Sequence, residues 1–244
     1  VDIGDFITFM TDFFFRGLIY ENPCVPCRYI DIPKTGQNSI CSDNSGNEID
    51  CAGTGQDGEY QRGFAWREPR FLDHGDGTVT DTVTGLMWTK NANLPGGSKN
   101  WQEALDYVAE MNTETHANFG YTDWRLPNVR ELHSLIDFGK HEPALPIGHP
   151  FINIQSSHYW SSTTVARSSG SAWDVIMDDG TVVTGDKTNS YYVWPVRGET
   201  EAPAPVPKTG QTTSYASGDD GDYEKGVAWP NPRFNDNGDG TVTD

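Results

Sequence analysis

Apolar positions recur at helical spacing in two stretches of the chain. Trp101, Leu105, Val108 and Met111 form one stripe, and Val129, Leu132, Leu135 and Ile136 form another. Spacings of three and four place each set on one face of a helix. Asn100 precedes the first stripe with Glu103 three residues on, and Asn128 precedes the second with Glu131 three residues on. In that arrangement a side-chain acceptor and a returning carboxylate satisfy the free N–H groups of a helix start. The pattern predicts a helix over Trp101–Met111 and another from Asn128 to a stop at Gly139. Short alternating or β-rich runs flank them: Arg70-Phe71, Thr78–Thr80 and Gly85–Trp88 before, and Tyr159–Thr163, Ala172–Met177, Thr181–Thr184 and Tyr191–Val196 after. Asp73-His74-Gly75-Asp76-Gly77 and Asp178-Asp179-Gly180 read as hairpin turns, because glycine supplies positive φ without a Cβ clash. Strands, two helices, then strands give an α+β domain with a mostly antiparallel sheet.

A different apolar pattern opens the chain. Ile3, Phe6, Ile7, Phe9, Met10, Phe13, Phe14, Phe15, Leu18 and Ile19 crowd together, broken by Asp5, Thr8, Asp12, Arg16 and Gly17. Phe6, Met10, Phe13 and Phe14 share a helical face that Phe9 widens. The segment is too apolar for a free tail and too polar for a membrane span, which needs ~18 or more apolar residues. It packs either on its own domain or on another subunit, and Phe6, Phe9, Met10, Phe13, Phe14 and Phe15 are the candidate assembly residues.

The chain also repeats itself. Pro33-Lys34-Thr35-Gly36-Gln37 returns as Pro207-Lys208-Thr209-Gly210-Gln211, and Gly75-Asp76-Gly77-Thr78-Val79-Thr80-Asp81 returns as Gly238–Asp244. Trp66, Pro69, Arg70 and Phe71 return as Trp229, Pro232, Arg233 and Phe234. The organisation is therefore an apolar N-terminal arm (1–30), one unit (31–198), a Pro-Ala linker (199–206) and the start of a second unit (207–244). The sequence stops inside that second unit, so the native polypeptide is expected to continue. The first pair of copies lies 174 positions apart and the Gly-Asp-Gly copies 163, so the first unit holds eleven extra residues, the length of Cys41–Cys51. That match reads as a surface loop tied by a Cys41–Cys51 disulfide. Cys24-Val-Pro-Cys27 supplies a second pair. Four cysteinyl thiolates also make a zinc set, but Cys41 and Cys51 are too far apart for a knuckle. A CxxC redox motif needs a βαβ setting that this pattern lacks. Disulfides point to an oxidising compartment, hence export, and the absence of Met at position 1 reads as removal of a leader.

A net charge of −18 repels nucleic acid, sulfated polyanions and anionic membrane. No apolar run is long enough to span a bilayer.

Several segments together resemble one family. They are Phe71–Asp81, Thr84-Gly-Leu-Met-Trp88, Thr122-Asp-Trp-Arg-Leu-Pro-Asn128, Glu131-Leu132, Tyr159-Trp-Ser-Ser-Thr163 and Pro195-Val-Arg-Gly198. In this order they are similar to the bacterial Lcl C-terminal domain family, also catalogued as DUF1566, over roughly residues 65–198. The resemblance implies a C-type-lectin-like fold, export, and use at cell surfaces as an adhesive or glycan-binding module, sometimes trimeric. It implies no catalytic activity. The arm and the Cys41–Cys51 loop lie outside the family's pattern.

Candidate chemistry is sparse. Asn235–Gly240 has the outline of a calcium loop, but its copy carries Leu72 and His74 at ligand positions, so a turn accounts for both. Leu126-Pro127-Asn128 lacks the acid or amide that calcium-dependent lectins place before proline. The histidines lack metal-helix spacing. Ser161 and Ser162 lack a nucleophile elbow, and Asp123 and Glu131 read as turn and cap residues. No metal, cofactor or catalytic role is expected. Trp160, Trp173, Asp174, Asn189, Tyr191 and Tyr192 are the candidate ligand-binding surface on the later strands, since aromatic faces with a few polar groups suit sugars or proteins. Two functions compete. One is a subunit that polymerises through residues 1–30, with copies of itself as partners. The other is a non-polymerising adhesin that binds glycan or protein. An enzyme of the formylglycine-generating type comes third, and its reactive late cysteine is missing, because none follows Cys51.

Overall fold

The computed structural model of the chain describes residues 32–38, 40–198 and 202–244. The arm residues Phe6, Phe9, Met10, Phe13, Phe14 and Phe15, and the pair Cys24 and Cys27, lie outside the described residues.

Two antiparallel sheets and two main helices make the central module. The first sheet orders β3 (Phe71–Asp73), β4 (Thr78–Asp81), β5 (Met87–Thr89) and β9 (Val196–Arg197) side by side. The second joins β6 (His158–Val165), β7 (Ser168–Ile176) and β8 (Val182–Asp186). The α+β expectation therefore holds. Both expected hairpin turns form. Between β3 and β4, Asp73 Oδ1 accepts the Gly75 N–H and Asp76 Oδ1 accepts the Thr78 N–H. Gly77 sits at φ 97°, and a Cβ there would lie 2.4 Å from the Phe119 ring. Between β7 and β8, Gly180 takes φ 81°. The Asn235–Gly240 segment repeats the first turn: Asp236 Oδ1 holds the Gly238 N–H, and Asp239 Oδ1 holds the Thr241 N–H.

Both capping boxes are present. Helix α2 (Trp101–Asn112) starts with Asn100 accepting from the Glu103 N–H while Glu103 accepts from the Asn100 N–H. Helix α3 (Val129–His133) starts with the same exchange between Asn128 and Glu131. It is shorter than the sequence predicts. Leu135 and Ile136 are buried, as its apolar stripe requires, but their N–H groups bond three residues back, to Leu132 and His133. The Asp137 N–H then leaves the helix for the Ala144 carbonyl. The stripe is right, but the helix ends at His133 with Ser134 as its C-cap, and the tighter turn beyond it gives way when the Asp137 N–H pairs with a later segment of the same chain. The expected strand Tyr191–Val196 is also reduced. Tyr191 bridges to Lys99, Tyr192 to β6, and only Val196 and Arg197 pair with β5. This segment crosses from one sheet to the other, so it cannot run as one ladder.

Tryptophans fill the interior. Trp88, Trp124, Trp160 and Trp194 are essentially sealed from water. Trp88 and Trp194 meet edge to face at 5.7 Å, and Phe151 meets Trp194 at 4.8 Å. A buried indole usually finds a partner for its N–H, and Trp88, whose Nε1 is buried without one, is the exception among these four. Backbone carbonyls of Thr89, Lys99, Asn118 and Ser161 accept from Trp194, Trp160, Trp124 and Trp101.

The two lead-in segments fold alike. In the first, Pro33 bridges Phe64 and a one-turn helix α1 covers Asp57–Tyr60. In the second, Pro207 bridges Val227 and a one-turn helix α4 covers Asp220–Tyr223. Their final strands, β10 (Asn235–Asp236) and β11 (Val242–Thr243), pair as β3 and β4 do. Sequence reading missed the one-turn helices, which are too short to carry an apolar period. The extra loop of the first copy is a hairpin of β1 (Ile40–Ser42) and β2 (Glu48–Asp50), closed by the Cys41–Cys51 disulfide. The described part of the linker, 202–206, packs on the module: the Ala204 N–H donates to the Val83 carbonyl, and Ala204 and Val206 are buried.

Two outcomes are expected. Gly77→Val should cost on the order of 1–3 kcal/mol from backbone strain alone, with the Phe119 contact adding to it, measured by denaturant unfolding. Replacing Cys41 and Cys51 with Ser should speed hydrogen exchange in α1, because a Gly58 Cβ position lies only 2.5 Å from Cys51 Sγ, while α2 should be unchanged.

Candidate functional site

The candidate ligand-binding residues fall on the β6–β7–β8 sheet and the loop that follows it. Side chains two apart on a strand share a face, so His158 and Trp160 of β6 point the same way. Asp174 of β7 lies opposite Trp160 and its Oδ1 is 2.7 Å from His158 Nδ1. The second carboxylate oxygen of Asp174 is buried without a partner. Burial pushes the Asp174 carboxyl above its usual range, opposed by the hydrogen bond and charge of His158.

Tyr191 lies flat over this pair. Its ring stacks on His158 at 4.5 Å and tilts against Trp160 at 4.3 Å. Gly185 makes room for it, since a Cβ there would come within 2.5 Å of the Tyr191 ring. Asn189 donates to the Tyr191 hydroxyl at 3.0 Å. Tyr192 tilts against Tyr159, whose hydroxyl is pushed to a higher pKa by burial.

The structure splits the expected set: Trp160, Asp174 and Tyr191, with Asn189 at the Tyr191 hydroxyl, share one face, whereas Tyr192 packs on Tyr159 and Trp173, next to Asp174 on β7, lies on the other side of the sheet. Trp160 and Asp174 are fully buried, so they support the face from behind. Trp173, Tyr191 and Tyr192 are half-buried and Asn189 is exposed. His158 was not among the expected set, yet it sits at its centre with about a third of its side chain exposed (34%). The signal was present as its two-residue spacing from Trp160.

Beside this face lies an open cleft of about 530 Å³, lined by Asn100, Trp101, Gln102, Lys187, Thr188 and Tyr215. Lys187 Nζ stands 3.6 Å above the Trp101 ring centre and donates to Thr164 Oγ1 at 2.8 Å. Burial lowers the Lys187 pKa, with Asp219 opposing. One loop links the two features: Asp186 Oδ1 accepts from Thr188, and the Asn189 N–H bonds the Asp186 carbonyl. The surface thus offers an aromatic ring, a lysine ammonium, amides and hydroxyls. That inventory suits stacking and hydrogen bonding. Asp123 pairs with Arg197 at 2.6 Å and Glu131 with Arg125, so both are structural partners. Among the described residues no cluster of His, Cys, Asp or Glu is placed to hold a metal ion, and no helix is long and apolar enough to cross a membrane.

The site sits on an α+β module with an aromatic and polar face. Residues 77–197 match the family model of the Lcl C-terminal domain, a match that suggests a bacterial surface protein. No curated protein matches the chain. The matched span runs from the β3–β4 turn to β9 and so leaves both lead-ins outside it.

Asp174 generates a pH prediction. Its folded pKa lies above its unfolded one, so its stabilising contribution is full below the unfolded value, roughly 4, and is lost as pH rises through the folded value. Asp174→Asn removes that titration. Stability of the variant relative to wild type should therefore grow from roughly pH 4 toward neutrality, read from denaturant melts at each pH. Parallel curves would refute the assignment.

Proposed function

We propose that this is an exported bacterial surface protein that displays lectin-like modules in series, with the fold of the C-type lectins, and assembles into a multimer or filament through residues 1–30. The observation that supports this reading is the closure of the module. Among the described residues, the buried members of both core clusters run from Phe71 to Val206. A module whose core closes without the arm leaves its phenylalanines in need of another surface. Each large apolar side chain taken from water contributes roughly 1.5–3 kcal/mol, so six of them form a strong adhesive. A second copy is the partner to which they are assigned. The reading includes no catalytic step, no cofactor and no nucleic-acid partner.

A second reading is an adhesin that does not polymerise and binds glycan or protein through the later-strand face. The exposed Asn189 hydrogen-bonded to the Tyr191 hydroxyl favours it, because a ring held flat with an amide at its edge is suited to a sugar ring.

Deletion of residues 1–20 separates the two. The first reading expects the full chain to sediment as a multimer and the deletion to give a folded monomer with unchanged circular dichroism per residue. Unfolding of residues 70–198 would instead make the arm part of its own module's core. A full chain that stays monomeric at high concentration replaces assembly with adhesion, for which Tyr191→Ala should then abolish glycan or protein capture.

A further inference from the structure

The two lead-ins share a fold but not an environment. The second is docked on the module. Its Val206 is buried at 7% exposure, Thr163 Oγ1 donates to Asp220 Oδ2 at 2.9 Å, and the Thr164 N–H donates to Gln211 Oε1 at 2.8 Å. The Asn128 side chain donates to the Lys225 carbonyl, and the Arg130 guanidinium lies 4.8 Å from the Trp229 ring centre. The first lead-in carries Ile32, Asp57, Gln37 and Trp66 at the matching positions. Asp57 accepts from Thr35 as Asp220 accepts from Thr209, so the internal geometry is conserved between the copies. Yet Ile32 is 77% exposed where Val206 is buried, and Asp57 is only half-buried where Asp220 is buried, while Gln37 and Gln211 are half-buried alike. The opposite side of this lead-in is already used on its own module, where the Phe138 N–H bonds the Thr35 carbonyl and Gly36 packs on Asp137.

We infer that the face of the first lead-in bearing Ile32, Gln37 and Asp57 is a plug for the socket formed by Asn128, Arg130, Thr163 and Thr164 on a second copy of this chain. The docked second lead-in is the template, since the same residue types at the same positions already fill that socket within one chain. The socket assigned to this plug is on another copy. The second lead-in follows its module's Gly198 by an eight-residue linker, whereas residues 1–31 contain no counterpart of the module end Trp194-Pro195-Val196-Arg197-Gly198. In the resting chain the tethered second lead-in holds the socket at high effective concentration. When it lets go, the first lead-in of another copy takes its place. A plug at one end and a socket at the other make a heterologous contact that does not close on itself, so it propagates as an open chain. This contact is separate from the one proposed for residues 1–30.

The test uses the full chain with Asp220→Lys and Trp229→Ala, which weaken the docked lead-in and leave the socket intact. Thr164 amide exchange should accelerate at least tenfold in dilute solution. It should slow again as concentration rises, in step with larger species in sedimentation. Adding Ile32→Glu should keep exchange fast at all concentrations and return the protein to the association state of wild type, whatever residues 1–30 contribute. Val206→Glu with Gln211→Ala is a second way to open the socket. The inference is overturned if opened sockets show no concentration-dependent protection, as when residues 1–31 of the same chain cover Ile32. It is overturned equally if Ile32→Glu leaves the association unchanged, or if Thr164 stays protected in both opened variants.

Discussion

The Arg125–Glu131 ion pair is the constraint on which the rest of the module hangs. Arg125 Nη1 and Nη2 reach the two Glu131 oxygens at 2.6 and 2.7 Å, with both residues all but inaccessible to water. Charges so placed demand full pairing, because an unpaired buried ion costs several kcal/mol. The backbone of Arg125 exchanges two hydrogen bonds with Val196, fixing the chain to the end of the first sheet. Glu131 Oε2 also accepts the Asn128 N–H, which closes the cap of α3. Asn128, held there, reaches the second lead-in. One carboxylate therefore joins a sheet edge, a helix start and the docking site. Substituting one partner alone should cost about 3–5 kcal/mol, far more than the pair's net contribution to stability.

This arrangement explains which parts of the fold were legible in the sequence. The two Asn-x-x-Glu caps and the Asp-Gly turns are closed by atoms within four residues of each other, so spacing alone reveals them. Glu131 was read correctly as a cap, but Arg125 was invisible as its partner: six residues apart on an irregular segment, the two meet only because Val196 anchors one of them. The same holds for the end of α3. Leu135 and Ile136 continue the stripe, and nothing local says that Ala144 will take the Asp137 N–H. In the candidate site the aromatic positions were visible as strand residues. Their depth was not, because Trp160 and Tyr191 touch at 4.3 Å yet only Trp160 is sealed from water, beneath the Tyr191 ring.

The site and the docking surface share an edge. Lys187 bonds Thr164 Oγ1 and faces Tyr215 of the second lead-in, while the Thr164 N–H bonds Gln211. Release of that lead-in would remove Tyr215 from the cleft and one partner from the strand that carries Trp160. On the proposed reading, a ligand in the cleft and docking of the lead-in would be coupled through Thr164, and by linkage each would affect the other by the same factor.

The repeat separates what the chain encodes locally from what packing adds. Arg70 pairs with Asp81 and lies over Trp66 and Phe71. Arg233 pairs with Asp244 and lies over Trp229 and Phe234. The first clamp is buried, at 5% and 0% side-chain exposure, and the second is open, at 34% and 54%. The same residue types thus close the same clamp in a buried and in an exposed setting. Local residues set the geometry of the lead-in, and the module supplies only its burial. A lead-in that is shaped before it is covered can be covered by whichever matching surface reaches it first. That property makes an interchangeable joint between modules physically reasonable, and it would be lost if the clamp formed only on contact.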